Sequence, residues 1–122
     1  MEFIEASTFT RCLADYFSDD SYRALQAAMA REALQGDLMP GTGGFRKMRW
    51  ADKRRGKGRR GGLWVIYYYF ASAQQVWLVT VYDKNEVADL TPKEKKTLNA
   101  AIEAELRARD SGRREPKGSG RP

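Results

Sequence analysis

The sequence predicts an α+β domain with its helices segregated from a small, mainly antiparallel sheet, in the order β-α-α-β-β-β-α. Three observations predict it. Two N-terminal segments carry apolar residues at helical spacing. The middle third is rich in Val, Ile, Tyr and Trp between Gly-rich breaks. A capped helical pattern then follows at Thr91. At 122 residues, one domain with a real core is expected.

Phe3 to Ala6 reads as a short first strand. Ser7 or Thr8 is the expected cap of a helix reaching about Phe17, with Phe9, Leu13 and Phe17 on one stripe. Ser18-Asp19-Asp20 starts a second helix, because its acids suit the positive end of the helix dipole. Tyr22, Leu25 and Met29 line that helix, and Gly36 is the expected stop. A helical hairpin results.

Met39 to Gly44 is a loop by every local rule. Gly41-Thr42-Gly43-Gly44 lacks the Gly-Lys-Ser/Thr ending and following helix of a phosphate loop, so a tight turn is expected. Phe45 to Trp50 reads as a strand, with Phe45, Lys47 and Arg49 on one face and Arg46, Met48 and Trp50 on the other. Asp52 to Gly62 is expected to be a basic, Gly-rich loop. Leu63 to Phe70 is apolar on both faces, as a central covered strand must be. Ala71 to Gln75 is a hairpin connection and Val76 to Tyr82 the return strand. Thr91 caps the last helix, Pro92 suits its first position, and Glu94 closes a capping box. Leu98, Ile102 and Leu106 form its stripe. The domain is expected over 1–108, with a disordered basic tail over 109–122.

Net charge is +6, unevenly placed. Residues 46–60 hold nine basic groups and one acid, Asp52, a net +8, while residues 1–45 hold three basic and seven acidic groups. Such a concentrated charge points to a polyanion, most simply nucleic-acid phosphate. A solvated basic face and an acidic protein partner are the competing readings. The chain has no His and one Cys, Cys12. It therefore has no intrachain disulfide, no Cys/His zinc site and no His-dependent nucleophile or base. No cofactor or metal is expected. One thiol, an acidic start at Met1 to Glu5 and a longest apolar run of nine residues, Leu63 to Ala71, fit a soluble cytoplasmic protein without a membrane span.

Lys47 and Arg49 share a strand face, and Lys53, Arg54, Arg55, Lys57, Arg59 and Arg60 follow in the loop. Lys84 ends the last strand. Side by side, the three strands bring these groups to one sheet face. Tyr67, Tyr68 or Tyr82 beside such a site suits RNA, whose bases stack on aromatics, although core packing is the better reading of at least two of them. RNA carries its own nucleophile, the 2′-hydroxyl. Positioning and charge stabilisation by Lys and Arg can then drive cleavage without His.

The ordered blocks Phe3-Ile4-Glu5, Ser18 to Gln26, Gly36-Asp37, Pro40 to Trp50, Gly56 to Gly62, Val65 to Tyr68, Tyr82 to Glu86 and Asp89 to Pro92 resemble the HigB branch of the RelE/ParE superfamily of toxins. The resemblance covers about residues 2–106 and rests on several blocks in order, which makes it more specific than any single motif. It implies a RelE-like fold and the toxin of a type II toxin–antitoxin pair. Such a toxin is a ribosome-dependent mRNA endonuclease that cuts the codon in the ribosomal A site and so inhibits translation. It also implies a cognate antitoxin with a helix-turn-helix domain. Under the resemblance, Lys47 and Arg49 match basic active-site positions, Lys57 and Arg60 match loop positions, and Lys84 matches the position after the last strand. Arg46, Lys53, Arg54, Arg55, Arg59 and Tyr68 are the further expected nucleic-acid contacts.

One departure stands out. The family pattern resembles Gly-Gly-x-Arg-Val-Ile-Tyr-Tyr, with an Arg on the scissile phosphate, but Trp64 occupies that position here. Trp makes no charged, bidentate phosphate contact, so a rate loss of about 10²–10³-fold or more is expected. Three explanations compete. Trp64 inactivates the site, Arg59 or Arg60 replaces the missing Arg, or the chain binds without cutting. The first is marginally preferred. Inhibition of DNA gyrase, as in the related ParE branch, is the alternative from another class, and the basic cluster argues against it.

Overall fold

The computed structural model describes residues 1–52, 58–83 and 89–114, excluding the side chains of 52, 58–61 and 111–114. Its described residues form an α+β structure with three helices and one five-stranded mixed sheet. The elements are β1 (Glu2–Glu5), α1 (Ser7–Tyr16), α2 (Asp19–Arg31), β2 (Asp37–Leu38), β3 (Arg46–Asp52), β4 (Gly58–Phe70), β5 (Gln75–Asp83) and α3 (Pro92–Arg114). The strand order is β1-β5-β4-β3-β2, with β1 parallel to β5 and the other pairs antiparallel. The described residues divide into two compact units, those of 1–39 with 44–89, and Pro40–Gly43 with those from Leu90 onward. No helix among the described residues is long and apolar enough to cross a membrane.

In the first unit the core lies between the helical hairpin and one sheet face. Phe9, Leu25 and Met29 from the helices meet Met48, Val65, Tyr67, Val76, Leu78 and Val81 from the sheet. Removing each large apolar side chain from water is worth about 1.5–3 kcal/mol. Strict alternation would turn Val81 and Leu78 to opposite faces, since they are three residues apart. A bulge prevents this. Ile66 pairs with Thr80 but Tyr67 with Leu78, so Val79 is an extra residue in β5 and both neighbours reach the core. The Val79 carbonyl accepts the Thr8 hydroxyl, which ties α1 to the bulge.

Several local expectations are corrected. Neither Ser7 nor Thr8 caps α1. Ala6 occupies the cap position and has no polar side chain to cap with, while Thr8, inside the helix, gives its hydroxyl to the Val79 carbonyl. Ser18 does cap α2, in a reciprocal box with Ser21. That helix ends at Arg31, well before Gly36, and the Gln35 amide donates to the carbonyls of Ala28 and Glu32, each at 3.0 Å. Gly36 serves packing instead. A Cβ there would lie 2.8 Å from the Tyr67 ring and hydroxyl. Asp52 to Gly62 is not all loop, because Asp52 pairs with Gly58 and β4 begins there. The Asp52–Gly58 pair and a register shift between Trp50 and Asp52 carry the strand start through this glycine-rich stretch.

In the second unit, the Thr91–Glu94 capping box forms as expected: the Glu94 amide donates to Thr91 Oγ1 at 3.1 Å and the Thr91 amide to Glu94 Oε1 at 2.7 Å. The helix runs to Arg114, so residues 109–114 are helical where a tail was expected. An i,i+4 bond from Arg109 Nε to Glu105 at 2.9 Å supports this last stretch. The rest of the expected tail, 115–122, lies outside the described residues. Gly43, at φ +82°, faces Asn99 and Ile102 so closely that a Cβ would sit 2.9 Å from Ile102 Cγ2. Close approach, with no phosphate involved, accounts for glycine here.

Tyr67 is fully buried and latches the turn after α2. Its hydroxyl donates to the Ala33 carbonyl at 2.8 Å and accepts the Gly36 amide at 2.9 Å. Burial pushes its phenol pKa up. Tyr67→Phe is expected to cost about 1–3 kcal/mol, because it strands a buried donor and acceptor. Denaturant unfolding checks this, and the midpoint should fall with the slope unchanged.

Candidate nucleic-acid interface

The sheet face opposite the α1–α2 hairpin carries the candidate site. The register fixes its rows. Lys47 pairs with Ile66 and Ile66 with Thr80, while Arg49 pairs with Trp64 and Trp64 with Tyr82. Paired residues of antiparallel strands project to the same side, so Lys47, Arg49, Trp64 and Tyr82 share this face. The expectation that Lys47 and Arg49 lie on a common face therefore holds.

Trp64 sits at the centre of this group and is partly buried. Lys47 Nζ lies 4.8 Å from the centroid of its ring, and Arg49 Cζ lies 5.4 Å from it. Both fall within cation–π range, worth about 0.5–1 kcal/mol each at an exposed site. The negative face of the indole thus lowers the cost of holding two like charges close together. Lys47 has a second partner, Asp89 Oδ1, at 3.6 Å. The two side chains are 25% and 45% exposed, so this is a screened surface pair of small net worth.

Other expected contacts lie elsewhere. Arg46 projects to the core face in register with Tyr67. Its Nη1 donates to the carbonyls of Leu34 at 3.1 Å and Gly36 at 2.8 Å. It is a structural arginine that closes the turn after α2, and the structure does not bring it to the site. Tyr68 shares the site's face but belongs to an aromatic cluster. Its ring lies 5.3 Å from Phe45, edge-on, and 4.7 Å from Phe70, and Trp77 lies 6.1 Å from each of those two. Its role here is packing. Lys53, Arg54, Arg55, Lys57 and Lys84 lie outside the described residues. Arg59 and Arg60 lie in β4 near its start, with their side chains outside the description.

Sequence reasoning did not find β2, whose two residues pair only with Lys47 and Arg46. Beyond Lys47 the outer edge of β3 has no strand partner among the described residues. A cleft of about 630 Å³ opens there, lined by Ser18, Asp20, Ser21, Ala24, Arg49, Trp50 and Ala51. Asp20 in this cleft is paired with Arg23 at 2.8 Å, and Arg49 is the single basic residue of its lining, whereas the Trp64 face gathers both Lys47 and Arg49 and is the better candidate for a polyanion. No protein-family model matches the chain.

Asp89 competes with any incoming anion for Lys47. Asp89→Asn is expected to raise the salt concentration that elutes the protein from heparin, while stability moves by less than about 1 kcal/mol. Unchanged elution would mean that Asp89 does not hold Lys47 back from an anion.

Proposed function

We propose that this chain is a RelE-like toxin of a type II toxin–antitoxin pair, of the HigB branch, and that it inhibits translation by engaging mRNA in the ribosomal A site. A cognate antitoxin with a helix-turn-helix domain would neutralise it, and the cytoplasm is where it would act. The observation that carries the proposal is the placement of Lys47, partly exposed, and Arg49, exposed, side by side on one sheet face around Trp64. Those are the two residues that the sequence resemblance assigns to the second strand of the active site. The order of elements and the central position of β4 are compatible with it.

The chemistry follows from the substrate. The 2′-hydroxyl of one nucleotide gives up its proton to water as its oxygen bonds to the adjacent phosphorus, and the 5′-oxygen of the next leaves as its bond to phosphorus breaks, taking up a proton from water. Negative charge builds on the non-bridging oxygens. Lys47 and Arg49 offset that charge, and the ribosome holds the RNA in line. Trp64 supplies no charge to the same oxygens. The proposed enzyme is therefore a slow nuclease that retains its phosphate grip. A second reading, binding without cleavage, is favoured by the same observation, since Trp64 stands in the middle of the site.

Trp64→Arg separates the two. Expressed under tight control, this variant is expected to arrest growth and produce in-frame mRNA cuts in primer extension, with cleavage about 10²–10³-fold faster than for the parent chain. Intact mRNA and normal growth would remove the nuclease proposal and leave only the binding role.

A further inference from the structure

The arrangement around Trp64 is more than the absence of an arginine. A ring flanked by two cations presents the two chemistries that a nucleotide needs, a π-surface for the base and positive charge for the phosphates. We infer that Trp64 is a stacking platform for one base of single-stranded RNA, with Lys47 and Arg49 taking the phosphates on either side of that base. This deepens the function proposed above and rests on it.

The geometry carries the inference in three ways. Trp64 lies on the sheet face opposite the hairpin core, beside the buried Ile66 and Tyr82, and its side chain keeps part of its surface in water. Both cations come from β3, on one flank of Trp64, while β5 places Tyr82 across the other. Tyr82, the register partner of Trp64 on β5, is 8% exposed and so offers little surface to a ligand. Without RNA, the ring holds Lys47 at 4.8 Å and Arg49 at 5.4 Å. An arriving nucleotide exchanges these contacts in kind. The cations turn from the weak quadrupole of the indole to full phosphate charges, and the vacated ring takes the base. Lys47 also leaves Asp89, so the exchange releases one screened ion pair. No covalent step is involved. Recognition of this kind requires an unstacked base, which excludes double-stranded RNA.

The test compares two probes in the intact protein. Fluorescence anisotropy is measured with a labelled single-stranded hexanucleotide of RNA, and with the same backbone carrying abasic sites at its central positions. The wild-type chain is expected to bind the complete probe about tenfold to a hundredfold more tightly, the effect of one stacked base. Trp64→Ala should erase the difference and Trp64→Phe should keep most of it. Because the two probes are compared on one folded protein, the wild-type result stands even if Trp64→Ala proves unstable. Equal affinity of the wild-type chain for both probes would overturn the stacking role while leaving phosphate binding intact. Persistence of the preference in folded Trp64→Ala would also overturn it. Binding to neither probe would overturn the RNA reading of the whole face.

Discussion

The register between β3 and β4 is the constraint on which the candidate site depends. With Arg49 opposite Trp64 and Lys47 opposite Ile66, one sheet face receives two cations and an indole, and the other receives Met48, Val65 and Tyr67. A slip of one residue would invert both sets. It would place Lys47 and Arg49 against the hairpin core and expose Met48 to water. Burial of the apolar set thus holds the charged set in place, so the site needs no device of its own to define which way its cations point.

The same register is secured from outside the sheet. Arg46, the core-facing neighbour of Lys47, bonds the carbonyls of Leu34 and Gly36, while Tyr67 bonds Ala33 and Gly36. These bonds pin the turn after α2 to β3 and β4. An arginine within the basic run therefore serves the scaffold, and the positive charge of β3 is divided between Arg46, which holds the fold, and Lys47 and Arg49, which flank Trp64. At that surface the indole moderates repulsion between Lys47 and Arg49. An arginine in its place would add a third positive charge and a stronger claim on phosphate, at the expense of a surface on which a base can stack.

Much of this was legible in the sequence because it follows from short-range rules. The alternation of Phe45 to Trp50 assigned Lys47 and Arg49 to a common face, and the Thr91–Glu94 box located the start of α3. The misses come from contacts between residues far apart in the chain. Gly36 looked like a helix stop, but it is small because Tyr67, thirty-one residues later, fills the space above it. Arg46 counted as one more cation until the carbonyls after α2 claimed it. Gly58 to Gly62 reads as loop by composition, yet β4 begins at Gly58, which pairs with Asp52 across a register shift before Leu63 pairs with Trp50. The bulge at Val79 has no local signature, and only the need to bury both Leu78 and Val81 accounts for it. The cation–π contacts at Trp64 likewise required knowledge of which residues face each other across strands.

The central claim is that nucleic acid meets this protein on the Lys47–Arg49–Trp64 face. A two-dimensional NMR titration with a short single-stranded RNA tests it most directly. The indole N–H signal of Trp64 and the side-chain signals of Lys47 and Arg49 are expected to move together and saturate. The indole of Trp50, beside the α2 cleft, and that of Trp77, in the aromatic cluster, should stay in place. Shifts confined to Trp50 and the α2 residues Ser18, Asp20, Ser21 and Ala24, with Trp64 and Lys47 unmoved, would contradict the account.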